Sequence, residues 1–158
     1  MKILFLLTLL AAAQAEGSRH NFHYEVLTKA RPAAVWQLWT TPATWPSWDS
    51  GLRSAQLDGP FQAGSKGQLQ PDRGPASTWE VVEAVRDQRT VVRVRIPLGW
   101  MYLRRSLTAA GDHYRLRHAV QLTGPMKFVI ACFVGGRYRK LLASSVLTFQ
   151  HLAEEDAR

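Results

Sequence analysis

The stretch Val35-Trp36-Gln37-Leu38-Trp39-Thr40-Thr41-Pro42-Ala43-Thr44-Trp45-Pro46-Ser47-Trp48-Asp49 holds four of the chain's six tryptophans and is broken by two prolines. Pro32 suits the first turn of a helix, where a missing N–H costs nothing, and Val35, Leu38 and Trp39 then share one face at helical spacing. Thr41-Pro42 reads as an N-cap followed by proline at the start of a second, shorter helix, which Pro46 ends. Just upstream, His20 to Ala30 alternates, with Phe22, Tyr24 and Val26 on one face and His23 and Glu25 on the other, the pattern of a half-buried strand. One strand followed by two short helices is the opening this predicts.

Downstream the period stays near two for about seventy residues. Leu52 to Gln62 and Ser65 to Gln70 read as strands joined through Gly59-Pro60 and Gly64, with Gly74-Pro75 punctuating the next connection. Thr78 to Val85, Arg89 to Pro97, Met101 to Ala109 and Tyr114 to Thr123 follow at short spacing without helices between them, which predicts one antiparallel sheet. From Met126 the period changes. Tyr138, Leu141, Leu142, Ser145, Val146, Phe149 and Leu152 recur at threes and fours, predicting a long amphipathic helix. Gly135-Gly136 lies inside it, and at about 1 kcal/mol per glycine relative to alanine the pair predicts two helical segments. Cys132, within the apolar run from Phe128 to Val134, reads as a small buried hydrophobe.

With 158 residues, 46% of them apolar, the chain suits a single domain with a real core. Met1-Lys2, the apolar run Ile3 to Ala13 and the small pair around Gln14 have the form of an export signal cleaved after Ala15, leaving 16–158 as the domain. An uncleaved interfacial anchor is the alternative. A membrane span would need about 20 apolar residues, and Glu16, Arg19 and His20 interrupt too soon. The net charge is +8, carried by fifteen arginines and five lysines, which favours anionic partners such as lipid head groups or acidic ligands. Nucleic acid is not expected of an exported chain. No Cys/His spacing suits a metal, no glycine loop suits phosphate and no G-x-S-x-G elbow is present, so no metal or cofactor is expected and nucleophilic catalysis has no support.

Three places together carry a family resemblance. The block Val35-Trp36 to Trp48-Asp49 is similar to a "VW...DP..WP.W" start. Trp79-Glu80-Val81-Val82-Glu83-Ala84-Val85 resembles a "W.V.EV" strand, and Tyr114 to Met126, ending in Gly124-Pro125, resembles a last strand leading into a terminal helix. Their order and spacing resemble the START-like, helix-grip superfamily (SRPBCC) in its polyketide cyclase/dehydrase branch. The resemblance implies an α+β fold in which a curved antiparallel sheet wraps a long C-terminal helix. An apolar cavity is implied between them, closed in part by the two small helices. Members bind hydrophobic or amphipathic small molecules, only some are enzymes, and no shared catalytic motif can be carried onto numbered positions here.

Alternation supplies the candidate site. His118 lies in phase with Tyr114, Leu116, Val120 and Leu122, opposite Arg115 and Arg117. Facing a cavity, a neutral imidazole can orient a ligand carbonyl or act as a general base; a hydrogen-bonded core histidine explains the same residue. Arg105 is in phase with Leu103 and Leu107 and, if inward, needs a carboxylate or an anionic ligand. Glu83, in phase with Trp79 and Val81, is the candidate partner, so Glu83, Arg105 and His118 are either an acid/base set or an internal ion pair that fixes register. Asp49 is read as a turn residue. Trp39 and Trp45 are assigned to the core, and Trp36, Trp48 and Trp100 to the rim of an entrance. Arg93, Arg95, Arg115 and Arg117 would form a basic outer face, either docking anionic lipid or simply solvated.

Three functions follow. The first is an exported, non-catalytic carrier of a lipid-like or polycyclic molecule, lined by Val94, Ile96, Leu116, Val120, Phe128, Leu142, Val146 and Phe149 and oriented by His118 and Arg105. The second is a cyclase- or dehydratase-like enzyme using His118 and Glu83. The third is a protein docking on an anionic membrane or envelope surface.

Overall fold

A computed structural model describes residues 17, 18 and 20–155. The expected leader, residues 1–15, lies outside the described residues. Eight strands form one antiparallel sheet: β1 (Gly17–Ser18), β2 (Asn21–Thr28), β3 (Leu52–Leu57), β4 (Lys66–Pro71), β5 (Ser77–Val85), β6 (Arg89–Ile96), β7 (Gly99–Ala110) and β8 (His113–Leu122), in the spatial order β1-β2-β8-β7-β6-β5-β4-β3. Between β2 and β3 run α1 (Pro32–Thr40) and a 3-10 helix (Pro42–Ser47), which carry the chain from one side of the sheet to the other. α2 (Lys127–Glu155) closes the structure. This is the helix-grip arrangement that the family resemblance implies.

The two-residue period sets one face of the sheet. Phe22, Leu107, Leu116, Val120, Val92, Val94, Val81 and Trp79 point inward and are buried, with Val146, Phe149 and Ala153 of α2 packed into the same core. Two register shifts, at Leu52/Ser54 and at Val81/Glu83, interrupt the outer part of the ladder. Such bulges bend and twist a strand locally, which helps it curl around a helix. Gly67 lets the curl close. A Cβ there would sit 1.9 Å from the Gln56 carbonyl oxygen and 2.8 Å from the Trp79 indole nitrogen, so only glycine allows β3 and the Trp79 ring to approach.

Three local expectations are corrected. Thr41 stands at the N-cap of the 3-10 helix with Pro42 next, but its side chain does not cap it: the hydroxyl donates to the Gln37 carbonyl at 2.8 Å and finishes α1 instead. Gly135-Gly136 does not divide α2, which runs unbroken for 29 residues, because burial of Ala131 on one side and of Ser145, Val146 and Phe149 on the other holds the rod across the pair. About 2 kcal/mol of propensity cost does not outweigh that packing. Cys132 is exposed. Near it on α2, Ala131 and Gly135 are buried and Ile130 packs against the core, while Phe128, Val129 and Phe133 are 58%, 44% and 85% exposed.

Candidate functional site

His118 and Arg105 are direct cross-strand partners on β8 and β7, and Tyr24 on β2 and Thr90 on β6 extend the row on either side. The same alternation that turns Leu103, Leu107, Leu116 and Val120 inward turns these two polar residues inward as well. Both are buried, each 4% exposed. Their environments differ.

His118 has a partner for its ring. The Trp39 indole N–H donates to His118 Nε2 at 3.1 Å, and the Trp45 indole N–H donates to the Trp39 carbonyl at 3.1 Å. Phe149 and Trp48 set their rings edge-on to the imidazole at 5.3 and 6.1 Å. Burial, and secondarily the nearby Arg105 cation, hold His118 well below the usual histidine range. The ring is therefore neutral at physiological pH, and with Nε2 accepting, its proton sits on Nδ1. The Nε2 lone pair is engaged by Trp39, which leaves it unsuited to take a substrate proton.

Arg105 lies between two indoles, its guanidinium carbon 4.6 Å from the Trp45 ring and 5.1 Å from the Trp48 ring. Burial lowers its pKa to about 10, with Asp49 acting in the opposite direction, so it stays charged at neutral pH. Its Nη1 has no hydrogen-bond partner among the described residues, and neither has the buried Trp48 indole nitrogen. Asp49 is the carboxylate on this side. Its Oδ1 accepts from the Gly51 backbone N–H at 3.0 Å and, at a long 3.4 Å, from the Ser145 hydroxyl. Burial pushes the Asp49 carboxyl up, and the Gly51 N–H and Arg105 only partly offset it. Asp49 is thus both the expected turn residue and part of the site.

A cavity of about 130 Å³ opens beside this group, between the sheet and α2. The 3-10 helix and its exit supply Trp45, Trp48, Asp49 and Gly51. The strands supply Leu52, Leu69, Val94, Ile96, Met101, Leu103 and Val120, and α2 supplies Tyr138, Leu141, Leu142 and Ser145. Of the residues singled out from sequence, the structure brings Trp48, Val94, Ile96, Arg105, His118, Val120 and Leu142 to this wall.

The others lie elsewhere. Leu116, Val146 and Phe149 are wholly buried in solid core, and Trp36 packs on that core from α1. Phe128 projects from the start of α2 toward solvent. Trp100 is on the outer face, with Arg93 and Arg95 stacked 4.5 and 4.9 Å from its ring. Glu83 also faces outward, where Arg89 binds it at 2.7 Å. The bulge after Val81 explains this: Val81 pairs with Val92 and Glu83 with Val91, so one inserted residue reverses the phase. The expected Glu83–Arg105–His118 set is not assembled, and Asp49 stands where Glu83 was expected. The basic outer face is partly neutralised, Arg93 by Glu80 at 2.7 Å and Arg115 by Glu25 at 3.2 Å.

Trp45, Asp49, Tyr138, Leu141 and Ser145 were not assigned to the site from sequence. Tyr138, Leu141, Leu142 and Ser145 share one face of α2, a signal that a helical wheel carries; Trp45 reaches the cavity from the 3-10 helix and Asp49 from the turn after it, a placement that no period encodes.

Solved structures of low identity share this architecture. One is the di-domain ARO/CYC protein StfQ of the steffimycin biosynthetic pathway, with a TM-score of 0.73 at 9% identity, 87% of this chain and 52% of that one being covered. Another is a protein from Nitrosomonas europaea, with a TM-score of 0.68 at 9% identity over 90% of this chain and 99% of that one. A third, from Arthrobacter aurescens, has a TM-score of 0.67 at 12% identity over 90% and 91%. No curated protein matches the sequence. The family described as polyketide cyclase/dehydrase and lipid transport matches residues 19–146, and with the sheet, the gripping helix and the cavity in place the chain belongs to that family.

Proposed function

We propose that this protein is an exported carrier that holds one compact apolar or amphipathic molecule between the sheet and α2, without transforming it. The observation that carries the reading is the cavity, walled mostly by Val94, Ile96, Leu103, Val120, Leu141 and Leu142. Its volume of about 130 Å³ is close to that of an apolar cavity known to take up benzene, roughly 150 Å³. A single ring fits; a polycycle or a long acyl chain needs α2 or the helix pair to move outward. The enzyme alternative has less support, since His118 Nε2 is occupied by Trp39 and Glu83 is on the outer face.

Native mass spectrometry of the protein taken from its own envelope fraction tests this. The expected result is a mature chain beginning at Glu16 with a stoichiometric apolar adduct, and a Leu142→Trp variant, whose indole fills the space, without it. Protein that is reproducibly empty and ignores small aromatic probes overturns the carrier reading.

A second reading rests on a separate observation. Phe128, Val129 and Phe133 form an exposed apolar turn on α2, with the Lys127 ammonium 5.0 Å from the Phe128 ring. On a chain of net charge +8, that combination supports docking on an anionic bilayer, more than the arginine face does. No helix among the described residues is long and apolar enough to cross a membrane, so the attachment would be peripheral. Sedimentation with anionic vesicles should fall with added salt and with Phe133→Ser; binding unchanged by both rules it out.

A further inference from the structure

Two buried N–H donors next to the cavity have no acceptor among the described residues. Arg105 Nη1 and Trp48 Nε1 belong to residues 4% and 3% exposed, both residues line the cavity, and the guanidinium carbon is 5.1 Å from the Trp48 ring centroid. Buried donors are almost always paired, and a buried charge without a partner is costly. His118, directly across the strand, shows the other outcome, with its acceptor nitrogen supplied by Trp39. Arg105 is fixed by stacking between Trp45 and Trp48, which orients the fork without consuming its hydrogens. A guanidinium edge beside an indole N–H presents donors of the kind a carboxylate accepts from.

We propose that Arg105 Nη1 and Trp48 Nε1 form an anion subsite, and that the guest is a compact, ring-sized molecule bearing one carboxylate. This rests on the carrier reading and deepens it. The apolar wall of Val94, Leu103 and Leu142 takes the hydrocarbon, and the two donors fix the end that carries charge. Asp49 lines the same cavity and is the one group there that works against an anion. Its Oδ1 is held by the Gly51 N–H and the Ser145 hydroxyl, so it stays in place as the counter-charge of Arg105 and as a like charge that a bound carboxylate must overcome.

The experiment compares benzoate with toluene, which has the same ring and no charge, by ligand-observed NMR titration of the full chain. Benzoate is expected to bind more tightly. In Arg105→Met the benzoate-to-toluene preference should fall by about tenfold or more, and in Trp48→Phe, which keeps an aromatic ring but deletes the N–H, by about threefold, with toluene affinity changing much less than benzoate affinity in both. Asp49→Asn, which keeps the acceptor for Gly51 and removes the charge, should tighten benzoate only. If Arg105→Met does not fold, the Trp48→Phe comparison carries the test alone. Toluene binding with no benzoate preference, or equal losses of both probes in the variants, overturns the subsite and leaves the carrier intact. Failure of both probes to bind overturns both.

Discussion

The two ends of the interior solve the same problem in opposite ways. Around Trp39, His118 and Phe149 the space is full: rings meet stacked or edge-on at 5.3 to 6.1 Å, the indole N–H of Trp39 meets His118 Nε2, and Trp39 and Phe149 have no exposure at all. Around Arg105, Asp49 and Leu142 the strands and α2 stand apart, and a cavity of about 130 Å³ remains with donors unsatisfied. The same cross-strand row feeds both ends. What differs is whether an aromatic side chain from α1 reaches across. Close packing with every polar atom paired contributes stability, whereas space and an unpaired donor cost stability and are the ingredients of recognition.

Breaking the full end should have the largest effect. Trp39→Ala removes a wholly buried indole and orphans His118, and about 3–5 kcal/mol of stability should be lost, read from the midpoint of urea unfolding. A loss below about 1 kcal/mol would mean that this end is not close-packed.

The pH response belongs to the same end. His118 is held neutral by burial, so the unfolded chain binds a proton that the folded chain refuses. Stability is complete above the free histidine pKa of about 6.5 and falls as pH drops through it, by up to about 1.4 kcal/mol per pH unit. His118→Gln, whose carbonyl oxygen can still accept from Trp39, should flatten that slope; an unchanged slope would assign it to other groups.

At the open end the expected sign is different. Arg105→Met replaces a desolvated charge by an apolar chain of similar length, so stability should stay within about 1 kcal/mol of the parent or rise, even as the benzoate preference collapses. A loss like that of Trp39→Ala would make Arg105 a structural member of the core.

The smallest effect sharpens the contrast from outside. Glu83→Ala breaks only an exposed pair with Arg89 and should change stability by less than about 1 kcal/mol with no effect on toluene or benzoate binding. Loss of guest binding in that variant would restore Glu83 to the site.

Much of the frame was readable in one dimension. The prolines at 32 and 42 placed the starts of the helix pair, although Pro46 lies inside the 3-10 helix rather than ending it, and the alternation through Leu116, His118 and Val120 put His118 and Arg105 on the inner face. Reading failed where one residue changes parity. Val82 sits at a bulge, so Glu83 faces solvent although it is in phase with Trp79. It failed again at Cys132 and Phe128, because the period of α2 gives an apolar face but not how far the sheet extends beneath it. Gly135-Gly136 misled for a related reason, since propensity is local and the packing that overrides it is not.

By itself, the order of residues determined the order of the main elements and, along strands without a bulge, which side chains turn inward, because period and punctuation are properties of neighbours in the chain. Only the tertiary structure decided that Trp39 would complete His118, 79 positions away, that Asp49 rather than Glu83 would stand near Arg105, and that Arg105 and Trp48 would keep donors to spare. Hydrogen bonds, desolvation and empty volume depend on distances in space, and those are fixed when sheet, helix pair and terminal helix close on one another.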